Sequence, residues 1–150
     1  MKASDIMQKK VDYVMPKTSL RQASKIIFGK AHMGLPVVSE KSRKLVGFLT
    51  DQDILSQCFP SMKEYVDDIV HARDFSAMEK KLKDIMNLKV EDVMSKHIIY
   101  IKKDDPLLKI ESIMKLKDIA RLPVVDDRRR LIGILTKRDI FRALVGKYSS

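Results

Sequence analysis

Tryptophan is absent from this 150-residue sequence, aromatic residues make up only 6% of it, and Cys58 is its one cysteine. A single cysteine excludes a disulfide within the chain. That usage suits a reducing compartment, so we expect a cytoplasmic protein. Because Cys58 lies in an apolar helical pattern, we interpret it as a small buried hydrophobic residue. The scarcity of aromatic side chains also leaves no evident platform for stacking nucleic-acid bases.

Long apolar runs are missing as well. No stretch approaches the roughly 18–20 residues that a membrane span needs, and the N-terminus MKASDIMQKK has no apolar signal-peptide core. We therefore expect no membrane association through a spanning helix. The apolar fraction of 45% is nevertheless sufficient for a hydrophobic core in one domain or two small, closely packed halves.

Motifs of the common catalytic and metal sites are also missing. The three histidines, His32, His71 and His97, are far apart and show no metal-ligand spacing. No phosphate loop of the form G-x-x-x-x-G-K-[ST] is present, and no Ser/His/Asp arrangement can be argued. We expect neither catalytic residues nor a metal site. The net charge of +10 favours anionic partners, but charge alone does not choose among nucleotides, nucleic acid, acidic membranes and acidic proteins.

What the sequence does contain is an internal repeat. The segment GFLTDQDI at 47–54 returns as GILTKRDI at 133–140. Earlier matches keep the same order at an offset of 87 residues, and the offset falls to 86 after a polar loop that is one residue shorter in the second copy. These matches are DIM at 5–7 with DVM at 92–94, and LPVV at 35–38 with LPVV at 122–125. A deletion confined to a polar loop is typical of a structural repeat.

Each copy predicts the element order β-α-β-β-α, an α/β (α+β) fold. The first strands are predicted at 11–14 and 97–101, and the helices that follow are predicted to be capped by Thr18 and by Asp105, with Pro106 at the first helical position. The apolar spacing of these helices predicts one buried face each, formed by Leu20, Ala23, Ile26 and Ile27 and by Leu107, Ile110, Ile113 and Met114. The two remaining strands of each copy are short and rich in branched residues. The second helices are predicted to start at Thr50 and Thr136.

Residues 60–88 belong to neither copy, so the predicted division is repeat 1 at 1–59, a helical connector at 60–88 and repeat 2 at 89–150. Pro60 is expected to end the helix after Thr50. A connector helix at 76–86 is predicted to begin with the capping-box spacing of Ser76 and Glu79. One face of this helix is apolar and is expected to pack on the module or on a partner chain; it carries Met78, Leu82, Ile85 and Met86.

The repeated Thr-x-x-Asp allows two interpretations. In the structural one, the threonine caps a helix and the aspartate three residues later completes a capping box. In the functional one, the helix start offers unpaired N–H groups to a phosphate, the hydroxyl joins them, and the carboxylate accepts from the two hydroxyls of a ribose. The glycine before the motif predicts the close approach of a ligand or of backbone.

These residues carry a resemblance. The order of an Asp-x-Met segment, an apolar strand, a helix, LPVV, a turn and G-x-L-T-x-x-D-I resembles the cystathionine beta-synthase (CBS) domain, present here as the tandem pair called a Bateman module. The resemblance implies two repeats packed about a pseudo-twofold axis, with two clefts that can each hold an adenine nucleotide or adenosyl compound. It also implies a regulatory module without a catalytic cofactor, whose ligand is AMP, ADP, ATP or S-adenosylmethionine.

The resemblance further implies that each cleft takes Thr and Asp from one repeat and the adenine slot from the other. The implied residues of cleft 1 are Thr50, Asp53, Ile98, Ile99, Ala120, Arg121, Leu122 and Pro123, with Arg138 as a further candidate. The implied residues of cleft 2 are Thr136, Asp139, Val11, Asp12, Met33, Gly34, Leu35 and Pro36. Arg121 and Arg138 have Gly34 and Gln52 as counterparts, so cleft 1 is expected to be the better phosphate site.

A homodimer and an unidentified protein target in trans are the partners that the resemblance implies. Two alternatives stay open at this point. A basic nucleic-acid-binding protein would explain the +10 charge and the arginine triplet at 128–130, but not two ribose-type aspartates. A purely structural dimer would use Thr-x-x-Asp only as helix caps.

Overall fold

The structure, a computed structural model, describes residues 1–30, 34–59 and 75–149. The chain divides into two compact units. Unit 1 comprises Met1–Asp12, Val38–Leu45 and Ile98–Ser150, and unit 2 comprises Tyr13–Val37 and Val46–His97. The units do not coincide with the sequence repeats. The opening segment of the first repeat, 1–12, lies in unit 1 with most of the second repeat, and the opening segment of the second repeat, 89–97, lies in unit 2 with most of the first. The predicted division at residues 59 and 88 describes sequence periodicity and stays a prediction.

Unit 2 contains most of the first repeat, in the predicted order of helix, two strands and helix. Its strands β1 and β2 pair in a small sheet. The elements that the structure describes here are α2 (Leu20–Gly29), β1 (Gly34–Val38), β2 (Leu45–Thr50), α3 (Asp51–Ser56), α4 (Phe75–Ile85) and α5 (Val90–Val93). The first residue of β2 and the last of β1 belong to unit 1, which takes the turn between them.

Unit 1 contains most of the second repeat. Its sheet has the order β3-β4-β5, with β3 parallel and β5 antiparallel to the central strand. The elements are α1 (Ala3–Ile6), β3 (Ile101–Lys102), α6 (Leu107–Lys117), β4 (Arg121–Val125), β5 (Leu131–Thr136), α7 (Lys137–Val145) and a 3₁₀ turn (Gly146–Tyr148). The mixed α+β class predicted from the sequence is confirmed.

The predicted buried faces are confirmed too. Leu20, Ala23 and Ile27 of α2 are buried in the core of unit 2, with Ile26 packed against them. The matching face of α6, formed by Leu107, Ile110 and Met114, is buried in the core of unit 1. Cys58 is 7% exposed within the unit 2 core, which confirms its interpretation as a small hydrophobic residue. One amphipathic face per helix therefore builds each core.

The predicted first strands are too long. In the first repeat only Val14 pairs, by an isolated parallel bridge to Val37, and in the second repeat the strand is Ile101–Lys102. The branched side chains of Val11, Ile98 and Ile99 favour an extended chain, but a strand also needs a partner. The neighbouring strand offers hydrogen bonds only at the end of each predicted segment.

Both predicted caps of the first helices are wrong by one residue. The N-cap of α2 is Ser19, whose hydroxyl accepts from the backbone N–H of Gln22 at 3.2 Å, while Thr18 accepts from the backbone N–H of Met15. The N-cap of α6 is Pro106. At α2, the neighbouring hydroxyls of Thr18 and Ser19 can each cap a helix, and the sequence pattern does not choose between them.

The connector helix is confirmed in position and face, but not in its cap. α4 already includes Phe75, so Ser76 lies within the first turn instead of before it. Met78 and Ile85 are buried, and Leu82 and Met86 pack against the unit 2 core. Pro60 lies outside the described residues, and α3 already ends at Ser56.

The opening segment of the first repeat completes the core of unit 1. Ala3 is fully buried there, and its backbone N–H donates to the carbonyl of Asp105 at 2.9 Å. Farther along, Gln8 and Ile134 exchange both backbone hydrogen bonds, at 2.8 and 2.9 Å. This segment therefore adds backbone pairing to β5, although it is 126 residues distant in sequence.

The opening segment of the second repeat does the same in unit 2. Val90 is fully buried, and its backbone N–H donates to the carbonyl of Thr18 at 2.8 Å. Ser95 and Phe48 exchange both backbone hydrogen bonds, at 3.0 and 2.9 Å. The equivalence of these contacts with those of Ala3 and Gln8 shows that the repeat is structural as well as sequential.

The glycine of each G-x-L-T motif is explained by the close packing of these opening segments on β5 and β2. A Cβ atom on Gly133 would lie 2.5 Å from Sδ of Met7 and 3.1 Å from the carbonyl oxygen of Gln8. A Cβ atom on Gly47 would lie 2.6 Å from Sδ of Met94. The close approach predicted at these glycines is therefore made by the methionines of the Asp-x-Met segments and their neighbouring backbone.

The arginine triplet at 128–130 forms an exposed turn, as a solvated turn would. Asp126 organises it, accepting from the backbone N–H groups of Arg128 and Arg130 and from Nε of Arg130, at 2.8–2.9 Å. Partial desolvation raises the pKa of Asp126, but these hydrogen bonds and the charge of Arg130 outweigh it and leave the pKa below its usual value. Arg129 lies over the ring of Tyr100, 5.1 Å from its centre.

Across the described part of the chain, every helix is too short or too polar to cross a membrane.

The fit of Met7 against Gly133 predicts a large cost for Gly133→Ala. We expect a loss of about 1–3 kcal/mol in unfolding free energy, because the added methyl must displace Met7 and meets fixed backbone at Gln8. The measurement is denaturant unfolding of the full chain. Gly146→Ala is the matched control, since its Cβ would enter open space.

Met7→Ala tests the cause. If the methionine is the obstacle, the loss in the double variant is smaller than the sum of the two single losses. Equal stabilities of Gly133→Ala and Gly146→Ala would contradict the packing explanation.

Candidate functional site

Thr136 and Asp139 form a complete capping box at the start of α7 in unit 1. The hydroxyl of Thr136 accepts from the backbone N–H of Asp139 at 3.2 Å, and Oδ2 of Asp139 accepts from the backbone N–H of Thr136 at 3.0 Å. Both side chains are half-buried. The structural interpretation of Thr-x-x-Asp is therefore confirmed at this position.

Thr50 and Asp53 form the same arrangement at the start of α3 in unit 2. The hydroxyl of Thr50 accepts from the backbone N–H of Asp53 at 3.1 Å, and Oδ2 of Asp53 accepts from the backbone N–H of Thr50 at 2.9 Å. α3 has six residues, against nine in α7.

The capping boxes leave hydrogen-bonding capacity unused. A carboxylate has two oxygens with about four acceptor positions, and each box uses one position on Oδ2. Each threonine hydroxyl accepts in the box and keeps its own proton to donate. At each position the arrangement can therefore accept from ligand hydroxyls and donate to a ligand oxygen while the cap stays intact.

Gln8 is a neighbour of this site that the sequence did not predict. Its side-chain Nε2 donates to Oδ2 of Asp139 at 3.0 Å, so this oxygen accepts twice. The repeat alignment places Ser95 at the equivalent position, and its hydroxyl lies 3.5 Å from the carbonyl oxygen of His97. In the sequence, this contact is marked only by the difference between glutamine and serine at equivalent positions of the two repeats. That difference can be interpreted once the structure shows that the opening segment packs beside β5.

Arg121 and Ala120 lie beside Thr136 within unit 1. Arg121 is the antiparallel partner of Thr136 in the β4–β5 pair, and the carbonyl of Ala120 accepts from the backbone N–H of Lys137 at 2.8 Å. Arg121 is half-buried and Ala120 is exposed. The structure thus brings together Arg121 and Thr136, which the resemblance assigns to different clefts.

Gly34 occupies the corresponding place in unit 2. A Cβ atom there would lie 2.9 Å from the carbonyl oxygen of Leu49 and 3.2 Å from Cγ2 of Thr50. Leu35 and Pro36 follow it in β1 and are buried. Met33, a predicted residue of cleft 2, lies outside the described residues. The glycine is therefore required by the strand beside it, whatever ligand the unit binds.

The remaining predicted residues differ in accessibility. Val11, Asp12 and Ile98 are half-buried, Ile99 is 38% exposed, and Arg138 is exposed on α7. Leu122 and Pro123 are buried in β4. Both predicted clefts combine residues of unit 1 with residues of unit 2, and their assembly stays a prediction.

Metal-binding geometry is not found among the described residues, where no group of three or more His, Cys, Asp and Glu side chains is placed to hold an ion. His32 and His71 lie outside them.

The model of the CBS domain matches this chain twice, at residues 3–59 and 90–146. The uncharacterized protein MJ1426 of Methanocaldococcus jannaschii is 31% identical over 156 residues, which cover 97% of this chain and 92% of that protein. MJ1225 from the same organism is 29% identical over 139 residues, 93% of this chain. The chain spans 47% of the length of MJ1225, less than half.

Two solved structures of ligand complexes are similar over their whole length. CBSX2 of Arabidopsis thaliana in complex with AMP is 26% identical, with a TM-score of 0.72 and 97% of each chain covered. The CBS domain pair of MJ0100, in complex with 5′-methylthioadenosine and S-adenosyl-L-methionine, is 28% identical, with a TM-score of 0.67 and 98% of each chain covered.

The capping boxes predict a stability cost that needs no ligand. Thr136→Ala removes the hydroxyl that accepts from Asp139, and we expect a loss of about 0.5–2 kcal/mol in unfolding free energy. Thr136→Ser keeps the hydroxyl and should lose clearly less. Denaturant unfolding of the ligand-free chain measures both, and a Thr136→Ala variant as stable as the original would refute a capping role.

Proposed function

We propose that this chain, which belongs to the CBS domain family, is a regulatory module that binds an adenine nucleotide or adenosyl compound. The carrying observation is the pair of Thr-x-x-Asp capping boxes, each with carboxylate and hydroxyl capacity left after the cap is made. The ligands of the two similar structures, AMP and the adenosyl pair, share an adenosine group with a ribose. A ribose diol is what an open carboxylate suits.

In this proposal the two clefts take the residues that the resemblance assigns. Asp53 and Thr50 hold ribose and phosphate of one ligand, with Arg121 and Arg138 as the cations for its phosphate. Asp139 and Thr136 hold the ribose of a second ligand that carries less negative charge. Arginine suits the first role because its guanidinium can make two parallel hydrogen bonds to one phosphate.

The proposed output is regulatory and not catalytic. Binding changes the conformation or the partner affinity of the chain, which acts in the cytoplasm on a protein target in trans and as a homodimer. Exposed apolar side chains at helical spacing on α7, Phe141 at 64% and Val145 at 41%, offer a surface for such contacts.

A melting experiment tests the ligand class. Since a ligand that binds only the native state adds RT ln(1 + [L]/Kd), an adenine ligand at a hundredfold excess over Kd should stabilise the fold by about 2.7 kcal/mol. AMP, ADP, ATP, adenosine and S-adenosylmethionine are each compared with inorganic phosphate at the same molar concentration. No shift with any of the adenine compounds at millimolar concentration would end the proposal.

The phosphate control and a nucleic-acid titration separate the alternatives. An equal shift with phosphate alone would show that the +10 charge merely attracts anions. DNA and RNA should bind weakly and without sequence preference, and binding should fade towards physiological salt. Tight, sequence-selective binding at physiological salt would favour a nucleic-acid-binding protein instead.

Calorimetry on three variants tests the site assignment. Arg121→Ala should weaken AMP and ATP binding about ten- to a hundredfold, because it removes a charge-assisted hydrogen bond to phosphate. It should spare adenosine, which has no phosphate. Asp53→Ala should weaken all three ligands at the tighter site, since all carry the ribose, and Asp139→Ala should leave that site nearly intact.

The three variants also distinguish two roles of Arg121. Loss of the tighter site in both Asp139→Ala and Arg121→Ala, with Asp53→Ala unchanged, would show that Arg121 serves the aspartate of its own unit. That outcome would reverse the proposed cleft assignment while keeping the ligand class.

A further inference from the structure

We infer that Gln8 determines ligand specificity at the capping box of Thr136 and Asp139, which we call the Asp139 half-site; the equivalent box of Thr50 and Asp53 is the Asp53 half-site. The side chain of Gln8 competes with a ligand ribose for the Asp139 carboxylate. The inference rests on the proposed function, because it concerns a ligand diol at Asp139. Its basis is the hydrogen bond from Nε2 of Gln8 to Oδ2 of Asp139 at 3.0 Å.

The backbone on both sides of this contact is held in place. Gln8 exchanges two backbone hydrogen bonds with Ile134 of β5, two residues before Thr136. Asp139 is held three residues after Thr136 by the capping box. The glutamine side chain therefore starts from a fixed position next to the carboxylate and has only its own torsions to adjust.

The same place in unit 2 lacks this amide. Ser95 exchanges backbone hydrogen bonds with Phe48 just as Gln8 does with Ile134. Its hydroxyl is directed to the carbonyl of His97. Within the described residues, the Asp53 carboxylate accepts from the backbone of Thr50 and from no side chain. The two half-sites share this backbone pairing, and beside the carboxylate unit 1 has a glutamine where unit 2 has a serine.

The difference matters because a carboxylate oxygen has two acceptor positions. On Asp53, Oδ2 uses one position for the cap and both oxygens stay open to a diol. On Asp139, Oδ2 is filled by the cap and by Gln8, so only Oδ1 is open. A diol that takes one hydroxyl to each oxygen fits Asp53 as it stands, but at Asp139 it must first displace the amide.

Gln8→Ser gives unit 1 the residue that unit 2 carries, and Ser95→Gln makes the reverse exchange. Each is measured by calorimetry with adenosine and AMP in a full-length chain where the other aspartate is replaced by alanine. We expect Gln8→Ser to tighten adenosine binding about three- to tenfold in the Asp53→Ala chain, because one solvent-exposed hydrogen bond from the glutamine amide no longer competes with the ribose for Asp139. Ser95→Gln should weaken binding by a similar factor in the Asp139→Ala chain.

Ser95→Ala is the matched control and should leave the Asp53 half-site unchanged, because the hydroxyl of Ser95 makes no contact with that carboxylate. Melting of each ligand-free variant checks folding. Gln8 is exposed, so its exchange should move the melting temperature little.

Unchanged binding in Gln8→Ser would overturn the inference, and weaker binding would overturn it by showing that Gln8 supports Asp139. Failure of both Asp53→Ala chains to bind, with the unsubstituted chain binding normally, would overturn it as well. A chain that binds no adenine ligand in any variant, the unsubstituted one included, would instead refute the proposed function, and the inference with it.

Discussion

Each compact unit depends on the packing of an opening segment against the strand that ends in the capping threonine, β5 in unit 1 and β2 in unit 2. In unit 1, Met7 covers Gly133 and Gln8 pairs with Ile134; in unit 2, Met94 covers Gly47. The glycine is necessary because the methionine and the neighbouring backbone fill the volume that a Cβ would take. Each core is closed by residues from the other repeat, so a chain with one repeat would leave a core incomplete.

The same packing places the opening segment next to the polar groups of the site. The strand that receives the opening segment continues directly into the Thr-x-x-Asp capping box, so packing and site chemistry share one stretch of about eight residues. A residue placed just after the methionine necessarily lies near the aspartate. In unit 1 that residue is a glutamine long enough to reach the carboxylate, and in unit 2 it is a serine that is not.

The two units are thus similar in frame and different in charge. α3 begins with Asp51 and Gln52, where α7 begins with Lys137 and Arg138. The residue opposite the capping threonine is an arginine in unit 1 and a glycine in unit 2. Two sites that share a backbone frame and differ at their polar positions can bind related ligands with different affinity.

The sequence by itself determined whatever depends on neighbours within a few turns. It predicted the buried faces of α2 and α6, the capping boxes at Thr50 and Thr136 and the connector helix, because periodicity and capping act over three to seven residues. The repeat and the family were predicted from motifs that recur in the same order along the chain. It misplaced the caps of α2 and α6 by one residue; at α2, Thr18 and Ser19 offer equivalent hydroxyls. Only the tertiary structure decided which opening segment completes which core, what fills the space beside Gly47 and Gly133, how short the first strands are, and that Gln8 reaches Asp139. These features join residues 23 to 131 positions apart, and no local pattern records a contact between segments that meet only when the chain has folded.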